Sequence, residues 1–253
     1  MNSKSHRKIA WELRIVLILL STTVILNLVH FLLFHDLHHI WLWSLTDLAF
    51  LPISVLFVTL VIDRLLSARE TAMRLDKMNM LIGAFFSSVG TELLARFTGW
   101  DTDAQFLRDH FGSRDSWRTL NVRGIERALG QHSFDVLIDR LGLQNLREFM
   151  DQKQDFLMRL LENPNLLEHE NFTNLLRAVF HFSEELSHRS DIASTPDSDL
   201  HHLSGDVKRA YVLLVREWAV YMLYLKDSYP YLFSLAVRTN PFDRTATPVV
   251  KAN

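Results

Sequence analysis

The chain has 253 residues, with 27 basic and 29 acidic side chains and a formal charge of −2, which excludes a strongly basic nucleic-acid-binding protein. It contains no cysteine, so disulfides, thiolate metal centres and a cysteine nucleophile are excluded too. Eight glycines and six prolines exclude a collagen-like or low-complexity chain.

Residues 1–14 form a basic tail with Lys4, Arg7, Lys8 and Arg14. Residues 15–34 (IVLILLSTTVILNLVHFLLF) then run without one Asp, Glu, Lys or Arg. Twenty helical residues span about 30 Å, the thickness of a bilayer's hydrocarbon core. Residues 41–62 (WLWSLTDLAFLPISVLFVTLVI) form a second apolar run with one acid, Asp47. Residues 35–40 make a short outer loop. Together, residues 15–62 predict a transmembrane hairpin.

The flanks set its orientation. Lys4, Arg7, Lys8 and Arg14 precede the first run, and Arg64, Arg69, Arg74 and Lys77 follow the second. The loop between has no Lys or Arg. The positive-inside rule therefore places both termini in the cytoplasm. Trp11, Trp41 and Trp43 fall near the interfaces, where amphipathic rings are favoured. The first run exceeds a signal-peptide core in length and no small-x-small site follows it, so it is expected as an uncleaved anchor.

Polar residues interrupt the hairpin. His30 lies about 6 Å and Asp47 about 9 Å from the outer ends, from the helical rise. Similar depth makes them a candidate membrane polar pair, and an intramembrane carboxylate is a functional-site hypothesis. The alternative is that Asp47 locks the hairpin or is simply protonated near the headgroups. Pro52 predicts a kink. The loop residues His35, Asp36, His38 and His39 offer imidazoles and a carboxylate suited to Zn²⁺ or Cu²⁺, without a recognised ligand spacing.

Beyond the hairpin lie 23 basic and 26 acidic residues, hardly polarised. Residues 63–97 predict a juxtamembrane helix. Leu75, Met78, Ile82, Phe85, Val89 and Leu93 recur at steps of three and four along one face. Gly83 and Gly90 stand seven residues apart, and small residues at such spacing permit close helix approach. The segment holding Gly83, Phe85, Phe86, Gly90 and Glu92 is a candidate interaction surface, with packing on its own domain as the alternative.

Residues 98–238 predict a helical domain. Turn signals at 98–101, 112–115, Gly130 and Gly142 delimit helices near 104–111, 116–129 and 133–140. Longer helices follow at 143–162, 171–187 and 197–227. Asn165 and Glu168 have capping-box spacing, and Thr195-Pro196 suits an N-cap before a first-turn proline. Val207, Tyr211, Leu214, Trp218, Tyr221 and Leu225 form a regular bundle stripe. Tyr229-Pro230-Tyr231 breaks that helix before a short apolar one, and residues 239–253 form an irregular tail. No alternating strand pattern is evident. The fold class is all-α: a transmembrane hairpin followed by a cytoplasmic helical bundle.

Phosphate-binding glycine loops, GxSxG and HExxH are absent from the sequence. His181, Glu184, Glu185 and His188 share one helix face, and Glu185-x-x-His188 has the spacing of a di-iron bundle ligand pair. Asp199 to His202 repeats that spacing, with Glu168, His169 and Glu170 nearby. His181, Glu185, His188, Asp199 and His202 are therefore candidate metal ligands, against the alternative of a solvated polar face. Asn240-Pro241-Phe242 matches a short adaptor-binding peptide, or an Asn-Pro turn. No catalytic residue and no cofactor are implied.

The segments 77–94, 159–186 and 229–242, with DLAFLPISVLFVTLVIDRLL at 47–66, resemble an uncharacterised family of bacterial two-span inner-membrane proteins. The resemblance implies a bacterial inner-membrane location, multi-pass, and adds no catalytic residue. The expected function is a membrane-anchored cytoplasmic helical protein acting through protein contacts, as tether, scaffold or signalling component. Its expected partners are the lipid bilayer, a second copy of the chain in a homo-oligomer, and a cytoplasmic protein, with no nucleic acid. The alternatives are a metal protein or enzyme using residues 168–202, and a small transport component using Asp47 and His30.

Overall fold

The computed structural model describes residues 3–34, 37–164, 166 and 169–250, in two units, Met1–Glu70 and Thr71–Asn253. Among the described residues there is no strand, and one isolated bridge joins Asp101 and Val136. The all-helical expectation is met.

The first unit holds α1 (Ser3–Phe34) and the first part of α2 (Leu37–Phe85); the unit boundary falls inside α2. Helix α2 continues through Pro52. Its large apolar side chains stay uncovered: Leu20, Ile25, Leu33, Trp41, Ile53 and Phe57 are all more than half exposed. Polar side chains turn their donors back onto their own helix. Thr22 donates to the Ile18 carbonyl, Thr23 to Leu19, Asn27 to Thr23 and Thr46 to Leu42, at 2.8–3.0 Å. Such bonds let polar residues sit in apolar helices without an unsatisfied donor.

One helical stretch, Trp41–Trp100, is long and apolar enough to cross a membrane by length and composition. Its most apolar window has a mean hydropathy of 2.3 and is unburied. Leu17–Leu33 is a shorter apolar helix; the side chains of Ile15, Val16 and Phe34 lie outside the described set. Of the two expected spans, one therefore meets the length test. His35 and Asp36 of the expected outer loop also lie outside the described residues, as does the His39 side chain.

In the second unit, a π-helical turn at Phe86–Gly90 links α2 to α3 (Thr91–Trp100). Then follow α4 (Ala104–Phe111), α5 (Ser116–Thr119), α6 (Val122–Gln131), α7 (Arg140–Leu161), α8 (Glu170–Ser187), α9 (Asp197–Ser228) and α10 (Pro230–Arg238). Helix α9 is the hub and packs against α3, α6, α8, α10 and the π turn, while α7 covers α8. Its predicted stripe faces inward: Val207, Tyr211, Leu214, Trp218 and Leu225 are buried, and Tyr221 is half-buried.

Three local expectations change. The helix expected over 116–129 is two helices, because Asn121 turns extended and caps α6, accepting from the Gly124 N–H at 2.9 Å. The helix expected at 133–140 is an extended strap. There Phe134, Val136 and Ile138 point inward and Ser133, Asp135 and Leu137 outward, a period of two. Phe134 sits at φ 54°, and the strap pairs with the end of α3 through Leu137 N–H to the Trp100 carbonyl (2.8 Å) and Thr102 N–H to the Asp135 carbonyl (2.9 Å). Helix α8 starts on His169, whose Nδ1 accepts from the Phe172 N–H; burial lowers its pKa, which suits a neutral acceptor. Asn165 and Glu168, the expected capping box, lie outside the described residues. Pro196 itself holds the α9 N-cap position, and the Thr195 carbonyl instead accepts from the Arg140 guanidinium at 2.8 Å.

Candidate functional site

Four places gather polar or open surface, and each is built from different helices. The first lies in the hairpin unit. Thr23, Asn27 and His30 of α1 and Trp43, Ser44 and Asp47 of α2 line one cavity of about 570 Å³. Steps of four and three put the α1 residues on one helix face. The expected His30–Asp47 pair thus belongs to a shared polar cavity between otherwise apolar helices.

The second is the segment expected to meet a partner. Phe85, Phe86, Val89 and Gly90 are buried in their own unit. Phe85 makes edge contacts with Phe86 and Phe172, and Phe86 stacks on Tyr221 at 5.8 Å. A Cβ on Gly83 would come within 2.5 Å of the Tyr221 hydroxyl, so its missing side chain admits that phenol. Glu92 pairs with Arg96 at 2.8 Å on the same helix. This corrects the interaction surface: the small and aromatic residues serve intramolecular packing. What stays open beside them is a cavity of about 640 Å³, bounded by Met80 and Gly83, by Tyr221 and Leu225 of α9, and by Leu232 and Leu235 of α10.

The third was not singled out in the sequence. The Asp101 carboxylate has no exposed side-chain surface and accepts three hydrogen bonds. His132 Nε2 donates at 2.7 Å and the Tyr211 hydroxyl at 3.1 Å, both to Oδ2, and the Asp103 N–H at 3.0 Å to Oδ1. Thr98 Oγ1 lies 3.1 Å from the Tyr211 hydroxyl. Burial raises the Tyr211 pKa, so the phenol stays a donor. The His132 ring stacks on Phe106 and meets Phe134 edge-on. The cluster ties the strap, α3 and α9 together. The side chains of Asp101 and His132 have no exposed surface, so the cluster holds its elements together from within the core. The signal that could have found it is the alternation through 133–138, which brings His132 inward beside Phe134.

The fourth contains the expected metal ligands. Glu185 and Asp199 are both taken by Arg189. Its guanidinium makes two 2.8 Å bonds to Asp199 and one of 2.8 Å to Glu185, and also reaches the Glu185 carbonyl. These bonds to Arg189 lower the pKa of both carboxylates. His188 Nδ1 lies 2.8 Å from the Glu184 carbonyl and turns away. The E-x-x-H reading is thus corrected to an ion-pair latch between α8 and α9. His181 and His202 approach a different carboxylate, Asp206 of α9, at 3.9 and 3.6 Å. Asp206 was missed, though His202-x-x-x-Asp206 puts both on one helix face.

Two further features are settled by packing. Asn240 donates to the Phe111 and Gly112 carbonyls, its Oδ1 accepts from the Phe242 N–H, and Phe242 is buried against Phe111 and Trp218. The Asn-Pro-Phe triplet is therefore a core anchor and not an exposed peptide. Glu217 of α9 is 3% exposed, and burial pushes its carboxyl up to about 7, with Glu126 adding to the rise and Arg216 opposing it. The folded state then holds a proton that the unfolded chain releases. Stability is fully present below the unfolded value near 4.5 and falls as pH rises through about 7. Denaturant titrations at pH 5 and pH 8 should differ by roughly 3 kcal/mol. Glu217→Gln should remove most of that difference; an unchanged pH slope in the variant would place its cause elsewhere.

Comparison with known proteins matches residues 4–66 to the N-terminal helical domain of MJ1433 and residues 74–238 to the C-terminal helical domain of the uncharacterized protein MJ1433. The uncharacterized protein MJ1433 of Methanocaldococcus jannaschii is 42% identical over 243 residues, covering 96% of this chain and 96% of that protein. No solved structure matches. The relative is archaeal, which corrects the expectation of a bacterial family. The two domains match on either side of the residue 70–71 boundary, and with the full-length relative they establish that the chain belongs to the MJ1433 family of helical proteins.

Proposed function

We propose that the chain is a membrane-anchored helical protein whose Thr71–Asn253 unit works through contacts with a partner protein. One observation carries the anchor: nearly every large apolar side chain described from Leu17 to Leu66 is exposed. Contiguous apolar surface on this scale marks a membrane or protein interaction site. The basic flanks around a loop free of Lys and Arg support a cell-membrane location with both termini on the cytoplasmic side. The open apolar cavity beside α10 supports the contact role. Self-association, if it occurs, uses that cavity or the hairpin, since Phe85, Phe86 and Gly90 are buried.

The full chain is expected to stay in the membrane fraction after an alkaline carbonate wash. A Val24→Arg, Ile53→Arg double variant should lose that retention, because each central charge costs about 2.5–3.5 kcal/mol on insertion. Release of the wild-type chain in soluble form would overturn the anchor.

The polar hairpin cavity favours a second reading, a site for a small cation or proton within the helix pair. In liposomes holding the purified chain, protein-dependent proton or cation flux should fall at least tenfold in Asp47→Asn. Absence of flux from the wild-type protein would end this reading.

A further inference from the structure

One cavity of the second unit is walled by side chains that can only donate. It has a volume of about 420 Å³ and is lined by Arg114 in the turn before α5, Trp117 and Arg118 of α5, Lys226 in the last turn of α9, and Phe233 of α10. Guanidinium, indole and ammonium groups carry N–H donors and no acceptor, and phenylalanine carries neither. The lining therefore brings positive charge without a carboxylate. Little nearby neutralises it. Arg118 meets Asp115 at 3.3 Å, but the two side chains are 80% and 82% exposed, and so open a pair contributes little in water. Arg114 and Lys226 have no ion-pair partner among the described residues. Lys226 Nζ is instead held by the Trp117 carbonyl at 2.7 Å, with the Arg118 carbonyl at 3.5 Å, which fixes the ammonium at the cavity and leaves it a proton to donate. Trp117 is 1% exposed, and its indole N–H has no hydrogen-bond partner. A buried donor left unpaired is uncommon, and an entering acceptor is what satisfies one.

We propose that this cavity binds a phosphate monoester, with its phosphate group held by Arg114, Arg118 and Lys226. The charge complementarity carries the choice of ligand. A phosphate monoester brings about −1.5 to −2 at neutral pH and three acceptor oxygens, against three cations that reach the cavity from the turn before α5, from α5 and from α9. Guanidinium groups pair with phosphate oxygens through two parallel N–H bonds, and an ammonium adds a point charge. A carboxylate has one charge and two oxygens and would leave part of this set unused. The volume lies within the range of small-molecule sites, so it holds more than the phosphate alone. Phe233 and the Trp117 ring give the organic part of the ligand an apolar wall. A bound phosphate would also tie α5 to the end of α9, where Lys226 alone now bridges them.

The site goes beyond the membrane reading and is tested without a membrane-retention readout. The full chain, purified in a non-ionic detergent, is titrated by calorimetry with glycerol 3-phosphate, with phosphatidic acid in mixed micelles, and with acetate. Saturable binding of glycerol 3-phosphate assigns the site to soluble monoesters, and binding of phosphatidic acid alone assigns it to a lipid headgroup; either supports the phosphate site. Acetate should bind about tenfold more weakly or not at all. Arg114→Ala and Arg118→Ala should each weaken phosphate binding about tenfold. Both side chains are exposed, so the variants stay folded, as unaltered circular dichroism should show. Lys153→Ala, which removes a cation lying over Phe149 of α7, should leave binding unchanged. Failure of both phosphate probes to bind would overturn the proposal. So would binding that survives the Arg114→Ala, Arg118→Ala double variant, acetate binding as tight as phosphate, or an equal loss in Lys153→Ala, which marks general charge attraction.

Discussion

Asp101→Ala is expected to destabilise the Thr71–Asn253 unit by about 3–5 kcal/mol in chemical denaturation. The reason is the number of groups that depend on one carboxylate. His132, the Tyr211 hydroxyl and the Asp103 N–H all donate to it, and the first two have no water to turn to. Removing one member of a buried charge-assisted set leaves the others desolvated and unpaired, which costs more than the bonds contributed. Asp101→Asn keeps the shape and an acceptor oxygen but forces an N–H₂ against one of the donors, so it should fall between wild type and alanine. Tyr211→Phe removes one donor and leaves the carboxylate two, so it should cost nearer 1 kcal/mol. A loss below about 1 kcal/mol for Asp101→Ala would show that the strap is held by Phe134 and Val136 packing alone.

That cluster also shows where the sequence is silent. The long helices α7, α8 and α9 lie within a few residues of their expected positions, because an apolar stripe at steps of three and four over about twenty residues has one reading. The strap at 132–139 does not announce itself so clearly. Seven residues of alternating pattern, without turn glycines, compete with a short helix, and the outcome is set by distant partners: the Trp100 carbonyl, Thr102 and Asp101. Helix ends fail for the same reason. His169 is an unusual cap by composition and works because burial lowers the imidazole's pKa and its Nδ1 accepts from Phe172.

Site residues were legible by type and not by partnership. Of His181, Glu185, His188, Asp199 and His202, Glu185 and Asp199 meet, through Arg189 at the α8–α9 junction. The spacing does not tell which carboxylate meets which cation. Arg189 sits between Glu185 and Asp199 and removes both from any ligand set, while Asp206, one turn beyond His202, receives both imidazoles. Likewise Gly83, Phe85, Phe86 and Gly90 carry the small-and-aromatic pattern of a mating surface. Whether such a surface faces its own unit or another chain depends on what α9 places opposite, and here that is Tyr221.

The same packing predicts opposite signs for two glycine substitutions. Gly→Ala inside a helix ordinarily gains about 0.5–1 kcal/mol, through lower backbone entropy in the unfolded chain. Gly205 is helical in α9 with nothing within 4 Å of an added Cβ, so Gly205→Ala should realise that gain. At Gly90 an added Cβ would lie 2.5 Å from Phe86 Cδ1 and 2.7 Å from Phe85 Cε1, closer than real Cβ atoms stand. Those rings cannot simply yield. Phe85 is held against Phe172 and Phe86 against Tyr221, and both are buried. The backbone has no slack either, because Gly90 closes the π turn that passes from α2 to α3. Overpacking of this kind costs about 1–3 kcal/mol and outweighs the entropic gain, so Gly90→Ala should lower the denaturation midpoint while Gly205→Ala raises it. Gly83→Ala should fall between them, since the atom it meets is the tip of the Tyr221 side chain, which can tilt away. If Gly90→Ala were as stabilising as Gly205→Ala, the π turn would have to be open enough to admit a methyl group. The Phe85, Phe86 and Gly90 segment would then regain the freedom to face a partner.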